Sequence, residues 1–202
     1  MRADIVAKIG GSLLGWPGLR GWLEGFLGEY RGSSLVLVAG GGAGADWVRR
    51  LDEAHRLGDE MAHGLAMRSM DLSAYVLDSI AVGCTIVEAD GLSAAWLGGR
   101  TPILLTRELM IADDRESAEP LAHAWGVTSD SIAARIAERL RAAALILCKS
   151  APAPSPTSRA AAARSGLVDP SFLRTARALP TVIYRNARDP SCRGVVLGAA
   201  RL

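Results

Sequence analysis

Cysteines are scarce in this sequence. Its 202 residues include three, Cys84, Cys148 and Cys192, which are far apart in the chain and odd in number. No two of them have the short spacing of a metal-binding motif, so the cysteines do not indicate a zinc site. This usage suits a protein of a reducing compartment.

An excess of charge of one sign is also missing. The formal net charge is +2, and the arginines are scattered along the chain instead of forming a basic stripe. Examples are Arg49, Arg50, Arg68, Arg135 and Arg139. Because a clustered basic surface is the usual mark of nucleic-acid-binding proteins, we expect no nucleic-acid partner.

Long apolar runs are absent as well. The longest candidates, Leu35–Ala39 and Ala142–Cys148, fall far short of the roughly 20 residues that are needed to cross a bilayer. Lys8 interrupts the first apolar stretch, which therefore lacks the charged-then-apolar layout of a secretory signal. We expect a cytoplasmic protein without a membrane partner.

The usual phosphate-binding motifs are incomplete. The sequence contains no Gly-x-x-x-x-Gly-Lys-Ser/Thr, which excludes an ordinary P-loop. Gly40-x-Gly42-x-x-Ala45 does satisfy the relaxed dinucleotide fingerprint after a strand. However, the acids at the expected distance, Asp59 and Glu60, open a helix where that fold requires the end of a second strand. Dinucleotide binding is therefore a minor alternative.

What the sequence does contain is a regular alternation of two patterns. Short apolar runs typical of buried strands alternate with stretches that have apolar residues at three- and four-residue spacing, as in helices with one covered face. This alternation predicts one α/β domain over residues 1–202, with a mainly parallel sheet and helices on both of its faces. The predicted strands are Ile5–Ile9, Leu35–Ala39, Thr85–Val87, Ile103–Leu105, Leu145–Cys148, Thr181–Tyr184 and Val195–Leu197. The predicted helices are Pro17–Tyr30, Gly44–Leu57, Asp59–Ile80 and Ser129–Ala143.

One segment interrupts the alternation. Residues 151–165 read APAPSPTSRAAAARS, with three prolines and three serines. The segment lacks an apolar period, and its composition is typical of surface loops. We expect a mobile loop or lid over 151–165.

Two glycine clusters are the most informative feature of the sequence. Lys8–Ser12 closes the first predicted strand, and Gly40–Gly42 closes the second. Glycine lets the main chain approach phosphate oxygens closely, and N–H groups at the start of a helix can converge on an anion. Lys8 adds the positive charge that a transferring phosphoryl group requires. Together they predict a polyphosphate site and a kinase, whereas either cluster alone could be a tight turn without a ligand.

Four motifs, in this order, resemble the amino-acid kinase superfamily. They are Lys8–Leu14, Gly40–Gly42, Gly58–Met61 and Trp125–Ala133. Two more segments, Gly166–Phe172 and Arg193–Leu197, extend the similarity over nearly the whole chain. The superfamily includes uridylate, acetylglutamate, aspartate and carbamate kinases. The resemblance implies a three-layer αβα sandwich around a mainly parallel central sheet.

The resemblance also implies roles for the matching residues. Lys8 would contact the transferred phosphoryl group, and Asp130 would orient the catalytic lysines. The implied nucleotide-binding residues are Lys8, Gly10, Gly11, Ser12, Lys149, Ser150, Asp169 and Phe172. The implied acceptor-binding residues are Gly40, Gly41, Gly42, Asp59, Trp125 and Thr128. From the residues alone, Asp59 and Asp130 could equally be acids that stabilise a helix start, and Lys149 a solvated lysine at a strand end.

Within the superfamily, the combined motifs are most similar to a small branch, the aminomethylfuran-methyl phosphate kinases of methanofuran biosynthesis. This similarity implies that the protein uses ATP to convert a phosphomonoester into a diphosphate, and that it forms a homo-oligomer. Mg²⁺ would arrive with the nucleotide, coordinated mainly by phosphates and water, as this ion prefers. His55, His63 and His123 lack the spacing of a metal site. Arg49 or Arg68 could hold the acceptor phosphate. An acetylglutamate- or uridylate-type kinase and a non-catalytic nucleotide- or oxyanion-binding protein stay open as alternatives.

Overall fold

The computed structural model describes residues 2–153 and 158–198. Within them, seven strands form one sheet, namely β1 (Ile5–Ile9), β2 (Leu35–Ala39), β3 (Cys84–Val87), β4 (Thr101–Leu104), β5 (Ala144–Lys149), β6 (Thr181–Asn186) and β7 (Val195–Val196). Their order across the sheet is β3-β4-β2-β1-β5-β6-β7. Strands β1 to β6 are parallel, and β7 pairs antiparallel with β6. Each strand matches a predicted one to within two residues at either end.

Eight α-helices accompany the strands in the described residues. They are α1 (Leu19–Glu29), α2 (Gly42–His55), α3 (Asp59–Ile80), α4 (Leu92–Leu97), α5 (Thr106–Glu116), α6 (Ser129–Arg139), α7 (Arg159–Arg164) and α8 (Phe172–Thr175). The four predicted helices correspond to α1, α2, α3 and α6. The apolar pattern does not predict the other four, because they are short or, like α5, bury too few apolar side chains to give a period. In this part of the chain, no helix combines the length and apolar character needed to cross a bilayer.

The central strands are buried on both faces. Successive side chains of β1 and β2 alternate between two apolar cores, with Val6 and Val36 in one and Ala7 and Leu37 in the other. Neighbouring side chains of a strand point to opposite faces of the sheet, which explains the alternation. Helices α6 and α8 contribute to the first core and α1 to the second, so the predicted three-layer α/β class is confirmed.

Helix α6 ends earlier than the apolar pattern predicts. The pattern continues to Ala143, but α6 ends at Arg139, and Arg141 adopts a φ of 48°. A residue in the left-handed region cannot continue a right-handed α-helix. The chain therefore turns at this point and enters β5, whose last residue is Lys149.

The prediction of a loop over 151–165 is wrong for the second half of that segment, which forms α7. The hydroxyl of Ser158 caps this helix. Arg159 is buried, and its guanidinium donates to two backbone carbonyl oxygens at 2.6 and 2.8 Å. These polar contacts stabilise a helix that no apolar period predicts. Residues 154–157 lie outside the described residues, so the mobility of the loop stays a prediction.

Candidate active site

The two glycine clusters lie side by side at one edge of the sheet. Strands β1 and β2 are neighbours and parallel, so the turns that follow them meet at the carboxyl ends of the strands. The N–H of Gly40 donates to the carbonyl oxygen of Ile9 at 2.9 Å, and the N–H of Gly10 donates to that of Cys148 at 2.8 Å. Backbone hydrogen bonds thus connect the ends of three adjacent strands.

Only glycine fits where these turns touch. A Cβ atom on Gly11 would lie 2.2 Å from the backbone nitrogen of Gly42, and one on Gly40 would lie 2.8 Å from that of Gly11. Gly42 has a φ of 54°, and it is the first residue of the 14-residue helix α2. A bare backbone at the positive end of a helix dipole fits the phosphates of a nucleotide, which is the fit expected for ATP.

Both lysines of the chain meet on one carboxylate. The sequence contains two lysines, Lys8 in β1 and Lys149 at the end of β5. Side chains two residues apart in a strand point to the same face of the sheet. Lys8 therefore lies on the face of Val6 and Lys149 on the face of Leu147, which is the α6 side. Their Nζ atoms lie 2.9 and 2.5 Å from the two carboxylate oxygens of Asp130, in the first turn of α6. One aspartate therefore holds two ammonium groups beside the glycine turns.

Two members of this charged cluster are buried, and the charges of the cluster shift the pKa values of Asp130 and Lys149. Lys8 and Asp130 are 4% and 3% exposed. Burial would raise the pKa of the Asp130 carboxyl, but the charges and hydrogen bonds of the two lysines outweigh burial and lower that pKa. Burial, followed by the charge of Lys8, lowers the pKa of Lys149. With both lysines charged, the cluster carries one net positive charge, which a bound anion would stabilise.

A cavity of about 240 Å³ opens beside the cluster and the glycine turns. Its walls come mainly from α2, α3, α6 and the segment that precedes α6. Residues predicted to contact nucleotide or acceptor that line it are Gly11, Ser12, Gly41, Gly42, Asp59, Trp125 and Thr128. Lining side chains without a predicted substrate-binding role include Asp46, His63, Met67, Met70 and Ser129. Arg49 also lines this cavity.

Comparison with solved structures shows which known proteins share this fold, although no protein-family model matches the sequence. The aspartate kinase from Synechocystis superposes with a TM-score of 0.69 at 15% identity, over 98% of this chain and 40% of that one. The UMP kinase from Ureaplasma parvum superposes with a TM-score of 0.64 at 14% identity, over 95% of this chain and 93% of that one. This chain has the amino-acid kinase fold.

Sequence similarity points in the same direction. A curated relative, the [5-(aminomethyl)furan-3-yl]methyl phosphate kinase of Methanocaldococcus jannaschii, is 31% identical over 137 residues. The alignment spans 67% of this chain and 60% of the relative, so the chain matches about three fifths of that protein's length. The resemblance to amino-acid kinases that the motifs indicate is therefore present both in the sequence and in the fold.

Within the amino-acid kinase fold, several residues with predicted nucleotide roles lie together. Gly10 and Ser12 follow β1, and Lys149 and Ser150 lie where the neighbouring strand β5 ends. The hydroxyl oxygens of Ser12 and Ser150 are 3.0 Å apart, which joins the two turns. These four residues border the side of the glycine turns that faces β5, and their contact with a nucleotide stays a prediction.

Two residues with an implied nucleotide role are placed differently. Phe172 is fully buried in the core between α6 and α8, where its ring has no exposed surface to offer a ligand. Asp169 is 6% exposed, and its carboxylate accepts hydrogen bonds from the backbone N–H and the hydroxyl of both Thr128 and Ser131 and from the N–H of Ser171. Asp169 therefore fixes the start of α6, and with it Asp130, while a contact of Asp169 with a nucleotide stays a prediction.

Replacing Asp169 with alanine is expected to lower the free energy of unfolding by about 2–3 kcal/mol, because buried donors at the start of α6 lose their acceptor. Urea unfolding followed by circular dichroism measures this loss. Asp189→Ala is a control, since the carboxylate of Asp189 accepts only local hydrogen bonds, from the N–H and the hydroxyl of Ser191 in the described part of the chain. Equal stability of the two variants would contradict the role assigned to Asp169.

A histidine pair beside the cavity could not be foreseen from the sequence. The rings of His63 and His123 stack with centroids 4.2 Å apart. The Nδ1 atom of His123 lies 2.8 Å from Glu60, and its Nε2 atom lies 3.1 Å from Asp114. Burial, followed by the charge of His123, lowers the pKa of His63. Across the described ranges, no group of three or more His, Cys, Asp and Glu residues is arranged to hold a metal ion.

Proposed function

We propose that this chain is an ATP-dependent kinase that transfers the terminal phosphoryl group of ATP to a phosphomonoester. The observation that carries the proposal is the buried contact of Lys8 and Lys149 with Asp130 beside two touching glycine turns. A transferring phosphoryl group spreads negative charge over its oxygens, and fixed cations and N–H donors stabilise that charge without reorganising. The cavity beside the turns provides space for an acceptor.

The residues of the site would have different roles in such a transfer. The backbone N–H groups of Gly11, Gly41 and Gly42 would hold phosphate oxygens of both substrates, so that the attacking and leaving oxygens lie in line. Lys8 and Lys149 would offset the negative charge that develops between the attacking and leaving oxygens, and Asp130 would keep both ammonium groups in place. When bound, ATP supplies the phosphoryl group, and Mg²⁺ offsets part of its charge. No covalent intermediate with the protein is required.

The cavity lining supports a particular acceptor. The acceptor in the name of the Methanocaldococcus jannaschii relative carries a phosphate, a small flat furan ring and an aminomethyl group. The carboxylates of Asp46 and Asp59 line the cavity of this chain and could pair with a primary ammonium. UMP and acetylglutamate, the acceptors of the alternative kinases, have no ammonium group. We therefore propose [5-(aminomethyl)furan-3-yl]methyl phosphate as the acceptor.

A panel of acceptors tests this assignment. With ATP and Mg²⁺, we expect the fastest transfer to the aminomethylfuran phosphate. The hydroxymethyl analogue, which is similar in size but neutral, should have a kcat/KM lower by about tenfold or more. UMP and acetylglutamate should react more slowly still, as measured by coupled ADP release. Asp59→Asn should reduce the difference in kcat/KM between the aminomethylfuran phosphate and its hydroxymethyl analogue.

Each alternative predicts a different outcome of the same panel. Transfer only to acetylglutamate would indicate a carboxylate kinase, and transfer only to UMP a uridylate kinase. Tight binding of ATP with no transfer to any acceptor would indicate a non-catalytic nucleotide-binding protein. The cytoplasmic location and the homo-oligomeric state stay predictions.

A further inference from the structure

We propose that Arg49 selects the acceptor by binding its phosphate, and that Trp125 and Asp52 position Arg49 for this task. The inference rests on the proposed function and names a specificity-determining residue for it. Among the described residues that line the cavity, Arg49 is the one with a permanently cationic side chain. Lys8 and Lys149 are held by Asp130 beyond the glycine turns, so they are committed to the transferred group.

Arg49 is oriented by the ring of Trp125. The central guanidinium carbon of Arg49 lies 4.7 Å from the ring centroid of Trp125, which is the distance of a cation–π contact. The guanidinium carries five N–H donors, and its hydrogen bond to Asp46 uses one nitrogen, Nη1. A guanidinium edge matches two oxygens of one phosphate, which is the geometry of bidentate recognition.

A bound phosphate could replace Asp46, the present ion-pair partner of Arg49. Its Nη1 atom lies 3.2 Å from the carboxylate of Asp46, and the two side chains are 42% and 63% exposed. An ion pair so open to solvent contributes little, because water and salt screen it. A dianionic phosphate in the cavity would therefore displace Asp46, which is then free to face a cationic group of the acceptor.

Asp52 holds Trp125 in its place. The indole N–H of Trp125 donates to one carboxylate oxygen of Asp52 at 2.8 Å. The other oxygen accepts from the backbone N–H of Gly58 at 3.2 Å, just before α3 begins. One carboxylate thus fixes the indole against α2 and also fixes the start of α3. Asp52 is a positioning residue, since it acts on Arg49 through Trp125.

Arg68 provides a matched comparison. It is the other arginine that the sequence offers for the acceptor phosphate, but its Nη1 atom bonds the carbonyl oxygen of Gly64 on its own helix at 3.1 Å. Arg68 is exposed, and it does not line the cavity in the described part of the chain. Substituting Arg68 removes the same charge from the protein without touching the proposed site.

Kinetics and binding of four single variants and one double variant test the proposal. Arg49→Ala should raise the KM for the aminomethylfuran phosphate by about 10- to 100-fold while the KM for ATP and the melting temperature stay close to wild type. Arg49→Lys should recover only part of this loss, because a lysine lacks the planar edge. Arg68→Ala should behave as wild type. Asp52→Ala should raise the same KM, and in the double variant with Arg49→Ala it should add nothing further.

Calorimetry with the phosphomonoester and no ATP separates this inference from the proposed function. If the wild type binds the acceptor without transferring to it, and Arg49→Ala abolishes binding, the phosphate site stands and the kinase proposal fails. If the wild type transfers phosphate and Arg49→Ala binds the acceptor as well as Arg68→Ala does, the inference is overturned. A wild type that binds no phosphomonoester overturns both.

Discussion

Replacing Lys8 with alanine is expected to lower kcat by about 10²- to 10³-fold, the usual cost of removing one preorganised charge that stabilises a transition state. The Nζ atom of Lys8 is buried, and it lies 2.9 Å from Asp130 beside the glycine turns. A water molecule that fills the vacated space would carry no charge, so the negative charge that develops during transfer would lose a fixed counterion. Steady-state kinetics at saturating ATP and acceptor measure the effect.

The fold should survive this substitution. Asp130 keeps the second ammonium group, because the Nζ atom of Lys149 lies 2.5 Å from its other oxygen. Circular dichroism and the melting temperature of Lys8→Ala should therefore stay near those of the wild type. Lys8→Arg is the matched variant, since it retains the charge but changes its position, and it should recover only part of the activity. A Lys8→Ala protein with a near-normal kcat would contradict the role of Lys8.

The sheet can be predicted from the sequence because each strand is a short apolar run bounded by glycine or polar residues. Ile5–Ile9 and Leu35–Ala39 have the bounds that the pattern predicts, since both strands are buried on both faces and need no polar alternation. The positions of the glycine turns follow from the same reasoning. Parallel neighbouring strands must bring Gly10 and Gly40 to one edge of the sheet.

Elements held by polar contacts escape this kind of prediction. Helix α7 depends on the buried guanidinium of Arg159, and no apolar period marks such a contact. The contacts of Asp169 with Thr128 and Ser131, which lie 41 and 38 residues away in the chain, could not be predicted either. Only the folded chain brings these donors around one carboxylate.

The charged cluster of Lys8, Lys149 and Asp130 can be predicted from the sequence only in part. Lysine is scarce, since the chain has only Lys8 and Lys149, of which the first lies within β1 and the second ends β5. Strand periodicity indicates that each lysine side chain points to one of the two faces of the sheet. That both lysines share the face covered by α6 becomes known only from the fold. The sequence predicts Asp130 at a helix start, but the fold decides that this helix is α6 and that its first turn faces both lysines.

Gly11→Ala is expected to lower kcat/KM by about 100-fold or more, since a displacement near 1 Å at a reacting group can cost that much. The added Cβ atom would lie 2.2 Å from the backbone nitrogen and 2.4 Å from the Cα atom of Gly42. Neither atom belongs to a flexible side chain, so the two turns must separate. The overpacking should also lower the free energy of unfolding by about 1–3 kcal/mol.

Gly21→Ala is the control for this substitution. Gly21 is an exposed residue inside α1, and a Cβ atom there meets nothing within 4 Å. Alanine at this position should leave kcat/KM unchanged and raise the free energy of unfolding by up to about 1 kcal/mol, because alanine favours the helix. Urea unfolding, kinetics and ATP calorimetry on both variants separate lost stability from lost phosphate binding. If Gly11→Ala binds ATP and turns over like Gly21→Ala, contact between the turns is not what creates the phosphate site, and the kinase proposal loses its structural basis.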